Sequence, residues 1–312
     1  MAVLAIDIGG TKLAAGVVDR DGRMLARGEV PTLANEGLEP VLSRIVGLGR
    51  ELLSRPKIAD VGVQRIGVGC AGPVDIKAGL VFRPPNLPGW TRVPLTDHIQ
   101  RSLGLPTILE NDANAAALGE FRYGAGMGAR SIVYMTVSTG IGGGIILDGK
   151  VWHGVKDAAG EIGHITVCPD GPPCGCGNRG CLEAMSSGPS IARRARAAVA
   201  SGRQTRLSAL ANPTAADVVR LAQDGDAVAA EVWADAMKYL GIGVAAVITF
   251  LAPERVVIGG GVTKAGESLF RPVRQHAWER VKLVPVDSVS ILPAALGPDV
   301  GILGAAAVAL DA

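Results

Sequence analysis

Neither sign of charge is in excess in this 312-residue sequence: 31 Lys and Arg stand against 29 Asp and Glu, a net charge of +2. That balance leaves no electrostatic footprint for nucleic acid or an anionic membrane. Apolar residues make up 48% and charged ones 19%, which fits a globular chain rather than a disordered one. Long hydrophobic runs are lacking too. The longest uncharged stretches are SIVYMTVSTGIGGGIIL at 131–147 and YLGIGVAAVITFLAP at 239–253. Both fall short of the roughly 20 apolar residues of a bilayer span and are expected as buried elements. The N-terminus MAVLAIDIGG has neither the charged leader nor the cleavage site of a secretory signal, so a cytoplasmic location is expected. No linker or low-complexity tract interrupts the chain. Cysteine and histidine are scarce, at five and four, and five cysteines in a chain of this length make no disulfide framework.

The few that exist are crowded together. The 24 residues EIGHITVCPDGPPCGCGNRGCLEA, from position 161, hold one His, four Cys and two Glu. Cys174-x-Cys176-x4-Cys181 places three thiolates on a loop rich in Gly and Pro, which lets the chain fold round a tetrahedral zinc ion. Both His164 and Cys168 are within reach as the fourth ligand, and either completes an ordinary zinc cage. Glu161 and Glu183 flank the cage. In isolation they read as solvated surface carboxylates.

A chain of 312 residues exceeds what one core usually serves, so two lobes are expected. The opening reads as three antiparallel strands, VLAID, LAAGVVD and MLARGEV, followed by a helix near 38–54. A buried parallel strand is expected at 65–72 and another strand at 106–112, running into a helix over ANAAALGEFRYG. The segment 131–149 then repeats the opening scheme of strand, Gly-rich turn and returning strand. Helices follow at 188–201, 214–223 and 227–251, then a strand at 255–261 and a helix at about 266–281. The echo between DIGGTK and STGIGGG suggests a duplicated α/β core with a cleft between the lobes. A small α/β lobe is expected over 1–113 plus 299–312, and a large lobe carrying the zinc loop over 114–298.

In DIGGTK, Gly9 and Gly10 let the backbone approach a ligand, and Thr11 and Lys12 add a hydroxyl and an ammonium. Backbone N–H groups in such a turn form an anion-binding nest. Alone, the same residues make a plain Gly-Gly hairpin, and they are not a Walker A loop. With STGIGGG and IGGGV at 258–262 the chain has three strand-to-glycine turns. Together they fit a nucleotide whose phosphates touch two turns and whose base rests on the third. In ENDAN at 110–114, Asp112 in isolation reads as a helix N-cap, worth about 1 kcal/mol. The functional reading makes Asp112 a general base toward a substrate hydroxyl, with Asn111 holding a neighbouring hydroxyl. The place favours it, since ligands of open α/β sheets bind beyond the carboxyl ends of strands.

These residues resemble the sugar kinases of the ROK family (repressor, open reading frame, kinase), most closely its bacterial glucokinases, over essentially the whole chain. DIGGTK and STGIGGG resemble the two phosphate motifs of the wider hexokinase, actin and chaperone ATPase superfamily. AGEIGHITV followed by CGCGNRGCLE resembles the family's zinc signature H-x9-C-x-C-x4-C, a spacing that selects His164 over Cys168. The resemblance implies a two-lobed, actin-like and hexokinase-like α/β fold of duplicated ribonuclease H-like units. It also implies a structural zinc held by His164, Cys174, Cys176 and Cys181, with the other nitrogen of His164 aimed at a sugar hydroxyl beside Glu161 and Glu183. By the same likeness Asp112 is the catalytic base, Asn111 a sugar contact and Gly72 a wall of the sugar site. Asp7 faces magnesium, Gly9, Gly10, Thr11, Lys12, Thr139 and Gly140 lie near the ATP phosphates, and Gly260 with Gly261 near adenine. Cys168 lies outside the pattern and reads as a small buried residue beside the cage.

The family's repressors carry a helix-turn-helix ahead of the kinase core, whereas a first strand is expected here at about residue 3, so DNA binding is not. The expected reaction is phosphorylation of glucose by Mg-ATP. A kinase for another hexose such as N-acetylmannosamine and a non-catalytic sugar sensor are the alternatives, polyphosphate stays open as a donor, and family members are often dimers or tetramers.

Overall fold

A computed structural model describes residues 1–312. The chain begins with β1 (Ala2–Ile8), β2 (Lys12–Asp19), β3 (Met24–Pro31), α1 (Leu38–Leu53), α2 (Pro56–Ala59) and β4 (Val63–Cys70). Then come β5 (Val74–Asp75), β6 (Leu80–Val81), β7 (Val93–Pro94), α3 (Leu95–Leu103), β8 (Thr107–Asn111) and α4 (Asp112–Tyr123). Next are β9 (Ile132–Val137), β10 (Ile141–Leu147), β11 (Lys150–Val151), α5 (Leu182–Ser186), α6 (Gly188–Ala200), α7 (Ala215–Gln223) and α8 (Ala227–Leu251). The chain closes with β12 (Arg255–Gly259), α9 (Glu267–Trp278), β13 (Ser290–Pro293) and α10 (Val300–Asp311). It divides into two compact units: Met1–Arg130 with Gly144–Ala159 and Ala295–Ala312, and Ser131–Gly143 with Gly160–Ala294.

The first unit is built on a sheet of order β3-β2-β1-β4-β8. Its first three strands are antiparallel, and β1, β4 and β8 run parallel. Alternation along β1 explains the layers. Leu4, Ile6 and Ile8 join Leu13, Ile66 and Val68 in a core closed by Ile45 and Leu52 of α1. Val3 and Ala5 point the other way, against Ile302, Ala305 and Ala309 of α10. A strand covered on both faces needs apolar residues at every covered position, which is why β1 reads as an apolar run from Ala2 to Ile6. The C-terminal helix thus lies on the N-terminal sheet.

α10 also packs along α4. Gly119 and Gly304 meet there: a Cβ on Gly119 would lie 2.8 Å from the Gly304 nitrogen, and one on Gly304 would overlap the Ala115 carbonyl oxygen.

The second sheet runs β11-β10-β9-β12-β13, and it repeats the order of the first. β12 lies parallel to β9 and β13, while β10 and β11 are antiparallel. The duplicated α/β core expected from the two Gly-rich turns is therefore present. In the second unit α8 is the central helix, contacted by α5, α6, α7 and α9. It buries Val232, Trp233, Met237, Leu240, Val244 and Ile248. The apolar run at 239–253 is its C-terminal half, and the helix has the bounds expected from the sequence, 227–251. At 25 residues it is long and apolar enough to cross a membrane by length and composition alone, with 50% of the apolar window buried in the fold.

Several elements escape the sequence reading. The small β5-β6-β7 sheet has two-residue strands, too short for any periodicity, and α3 buries only Leu95 and Ile99. Replacing Gly304 by Ala forces α10 off α4 and is expected to destabilise the first unit by about 1–3 kcal/mol. A lowered midpoint in thermal denaturation checks this, and an unchanged midpoint would mean that the helices can part without loss.

Candidate active site

In the first unit the parallel strands end level, with Asp7 opposite Gly69 and Gly69 opposite Glu110. This register brings Asp7, Gly72, Asn111 and Asp112 to one edge of the sheet. Asn111 has extended backbone and is the N-cap of α4: its side chain accepts from Ala113 N at 2.9 Å and Asn114 N at 3.2 Å. Asp112 is already helical, the first residue of α4. The capping role that suits an isolated Asp therefore belongs to its neighbour. Capping uses the Asn111 oxygen, and its Nδ2 lies against Gly72, 3.0 Å from where a Cβ there would stand.

The Asp7 carboxyl is pushed up to about 6, first by burial and then by the nearby Asp112 carboxylate, while the Lys12 ammonium opposes the rise. Burial, then Asp112 and Asp7, also raise the Cys70 thiol beside them. Lys12 lies 3.5 Å from Glu29. The turn between β1 and β2 is closed by Gly9 N donating to Lys12 O at 3.0 Å and by Thr32 Oγ1 donating to Gly9 O at 2.6 Å. Gly9 thus serves the hairpin through both its N–H and its carbonyl. Gly10 and Thr11 line a cavity of about 490 Å³ with Asn35 and Asn86.

One pair was not singled out in the sequence. Glu110 is buried, and its Oε1 accepts from Asn111 N at 2.9 Å and Asn114 Nδ2 at 3.1 Å. Its Oε2 lies 2.8 Å from His153 Nε2, and that hydrogen bond raises the His153 pKa. The strand-to-helix junction that carries Asn111 and Asp112 is thus braced from behind. The signal available was a Glu at the inner end of β8, with no hint of its partner 43 residues on.

In the second unit the ligand atoms of His164, Cys174, Cys176 and Cys181 all lie within 4.8 Å of one another. His164 Nδ1 is 3.6 Å from Cys174 Sγ, and Cys176 Sγ is 3.7 Å from Cys181 Sγ. A tetrahedron of ~2.3 Å zinc bonds has edges of about 3.7 Å, so the donor set and its spacing fit zinc. Cys168 lies apart, with its sulfur accepting from Tyr239 OH at 3.5 Å. The loop is shaped by backbone bonds across its own turns, including Cys174 N to Asn178 O and Gly180 N to Pro172 O. With Nδ1 turned to the cysteines, His164 Nε2 stands 3.8 Å from Glu161 Oε2. Glu183 follows Cys181 at the start of α5, and its Oε2 accepts from Ile141 N at 2.8 Å.

Thr139 and Gly261 line a cavity of about 600 Å³ in this unit, together with Ser138, Pro213, Thr214 and Trp233. The turn carrying Thr139 and Gly140 is closed by Ser138 N donating to Gly140 O at 2.9 Å. Gly260 stands behind it, its left-handed backbone close against Val137. The wall formed by Pro213 and Thr214 was not singled out in the sequence; Thr214 is also the N-cap of α7.

An acid whose pKa is raised by folding holds its proton more tightly in the fold. Stability is therefore lost as pH rises from the ordinary 3.8 through about 6 and is constant above that. Asp7→Asn removes this loss, so the variant is expected to melt higher than the wild type near pH 7.5. By about pH 4 the two midpoints should converge. A gap of the same size at both pH values would assign the effect to packing.

A family model described as the ROK family matches residues 3–312. The glucokinase of Halalkalibacterium halodurans is 38% identical over 307 residues, 96% of this chain and 92% of that protein. The N-acetylmannosamine kinase of Citrobacter koseri is 37% identical over 99% of each. Among solved structures, a ROK family glucokinase from Streptomyces griseus in complex with glucose and AMPPNP superposes with a TM-score of 0.82 at 34% identity, covering 100% of both chains. Its duplicated α/β fold is the one described above, and this chain belongs to the ROK family.

Proposed function

We propose that this protein phosphorylates glucose at its 6-hydroxyl with ATP as donor. The observation that carries the reading is the level ending of β1, β4 and β8, which sets the Asp7 and Asp112 carboxylates together beside Asn111 and Gly72. In this reading Asp112 accepts the proton of the attacking hydroxyl, its charge favoured by the N-terminus of α4. The Asn111 amide donates to a neighbouring hydroxyl. Within the second unit, Glu161, His164 Nε2 and Glu183 are the groups suited to sugar hydroxyls, and a zinc ion taken by His164 Nδ1 and the three cysteines would hold the imidazole. Adenine occupies the cavity of about 600 Å³ beside Thr139 and Gly261, with Gly260 behind it. The phosphates are met by Gly10, Thr11 and Lys12 and by Thr139 and Gly140.

Asp7, raised beside a second carboxylate, is the donor set that a divalent cation relieves. A magnesium ion bound there would supply charge neutralisation to the ATP phosphates, with Asp7 as the residue facing it. In phosphoryl transfer the rest of the work is positioning and the exclusion of water. A second reading, N-acetylmannosamine as the sugar, is favoured by the 37% identity to such a kinase.

The test is product formation with Mg-ATP across glucose, mannose, fructose, N-acetylglucosamine and N-acetylmannosamine, with Asp112→Asn beside the wild type. Glucose is expected to be preferred, and the variant to lose about 10²–10⁴-fold in kcat with KM for glucose little changed. Preference for an acetylated sugar moves the substrate, near-normal turnover removes Asp112 from the base role, and silence on every sugar with binding retained leaves a sensor. For the cage, Cys176→Ser is expected to lose zinc and sugar binding together, read by metal analysis and calorimetry. Full zinc and full activity in His164→Ala would sink the shared-imidazole arrangement.

A further inference from the structure

We propose that Glu183 positions the nucleotide turn at Thr139–Gly140 as well as meeting the sugar, so that nucleotide affinity depends on this side chain even when no sugar is bound. The inference rests on the kinase reading above for what the turn binds.

Glu183 is anchored at its own main chain. Its carbonyl oxygen accepts from Ser187 N at 3.1 Å and from Ser190 Oγ at 2.9 Å. Two residues before it, Cys181 belongs to the four-residue cluster, and Leu182 N donates to Ile165 O at 2.9 Å. The base of the side chain is thus tied to both the metal loop and α6. From there the carboxylate reaches the turn, where Oε2 accepts from Ile141 N at 2.8 Å. A Cβ on Gly140 would stand 2.6 Å from the same oxygen, so the carboxylate lies directly on the Cα of that glycine. Glycine at 140 is what lets it come so close.

The turn has three restraints. Ser138 N donates to Gly140 O, Ser138 O accepts from Gly188 N at 2.9 Å, and Glu183 holds Ile141 N. The first two join backbone to backbone and survive any side-chain change. The third is the charge-assisted one, and it is the only one that a substitution at a single side chain removes. Ser138 and Thr139 form part of the wall of the 600 Å³ cavity, so releasing the turn alters the surface that the nucleotide meets. A carboxylate this near a phosphate turn is unfavourable by charge alone. Its occupation by the Ile141 N–H gives it a positioning role that a neutral acceptor of the same shape could fill.

That distinction sets the experiment. Wild type, Glu183→Gln, Glu183→Ala and Glu183→Asp are titrated with a magnesium complex of a non-hydrolysable ATP analogue by calorimetry, without sugar, and separately with glucose. Zinc content and thermal midpoint are measured for each. Gln retains an acceptor oxygen at the same reach and is expected to bind the analogue within about twofold of wild type or more tightly. Ala has no acceptor, and Asp is shorter by one methylene. Both are expected to bind it about tenfold more weakly, the order of one hydrogen bond to a charged group. Glucose affinity should fall in Gln as well as Ala, which separates the two roles. Equal analogue affinity in Ala, Asp and wild type overturns the proposal, as does a wild type that binds no analogue. If the Ala variant does not fold, the Asp and Gln pair decides. Failure of the kinase reading is distinct: it shows as no product from any sugar, whatever the analogue affinities.

Discussion

The close approach of α10 to α4, permitted by Gly119 and Gly304, is the constraint on which the first unit depends. α4 begins with Asp112, and the first turn of α10 places Gly301 directly against the Asp7 carboxylate. Moving α4 moves the Asp112 carboxylate, and moving α10 removes the backbone against which the Asp7 carboxylate packs. Helix N-termini favour negative charge, and here two of them come near a pair of acids, yet the Asp7 carboxyl is still held up at about 6. Burial and the Asp112 charge therefore outweigh Lys12.

The second unit handles its carboxylates differently. Glu183 is placed by a backbone N–H from the turn, while Glu161 is exposed, 3.8 Å from a His164 nitrogen. The metal loop is the common support. Its cysteines set the start of α5, α5 sets Glu183, and Glu183 sets the turn. A zinc ion held there would tie the loop to the start of α5.

The motifs that were legible in the sequence are those whose parts lie within one turn or one loop. The four residues His164, Cys174, Cys176 and Cys181 span 18 positions and lie together. The repeated Gly-rich turns announce the duplication that the two sheets display. By contrast, the choice between Asn111 and Asp112 as cap was not legible, because both side chains cap well and only the backbone at 111, extended before the helix, decides it. The Glu110–His153 brace, the Thr32 clamp on Gly9 and the α7 wall of the large cavity were invisible for another reason. Each joins residues far apart in the chain, and no local pattern records a partner that only folding brings near.

The sequence by itself determined the local chemistry of this protein: where glycine allows a tight turn, where thiolates and an imidazole can share an ion, and which strands must be buried on both faces. The tertiary structure decided which of those pieces act together. It laid the C-terminal helix on the N-terminal sheet, set Asp7 against Asp112 and joined Glu183 to the turn at Gly140. The physical reason is that spacing along a chain constrains geometry over a few residues only. Beyond that, position is set by which apolar faces can be buried against each other, and polar side chains find their partners afterwards.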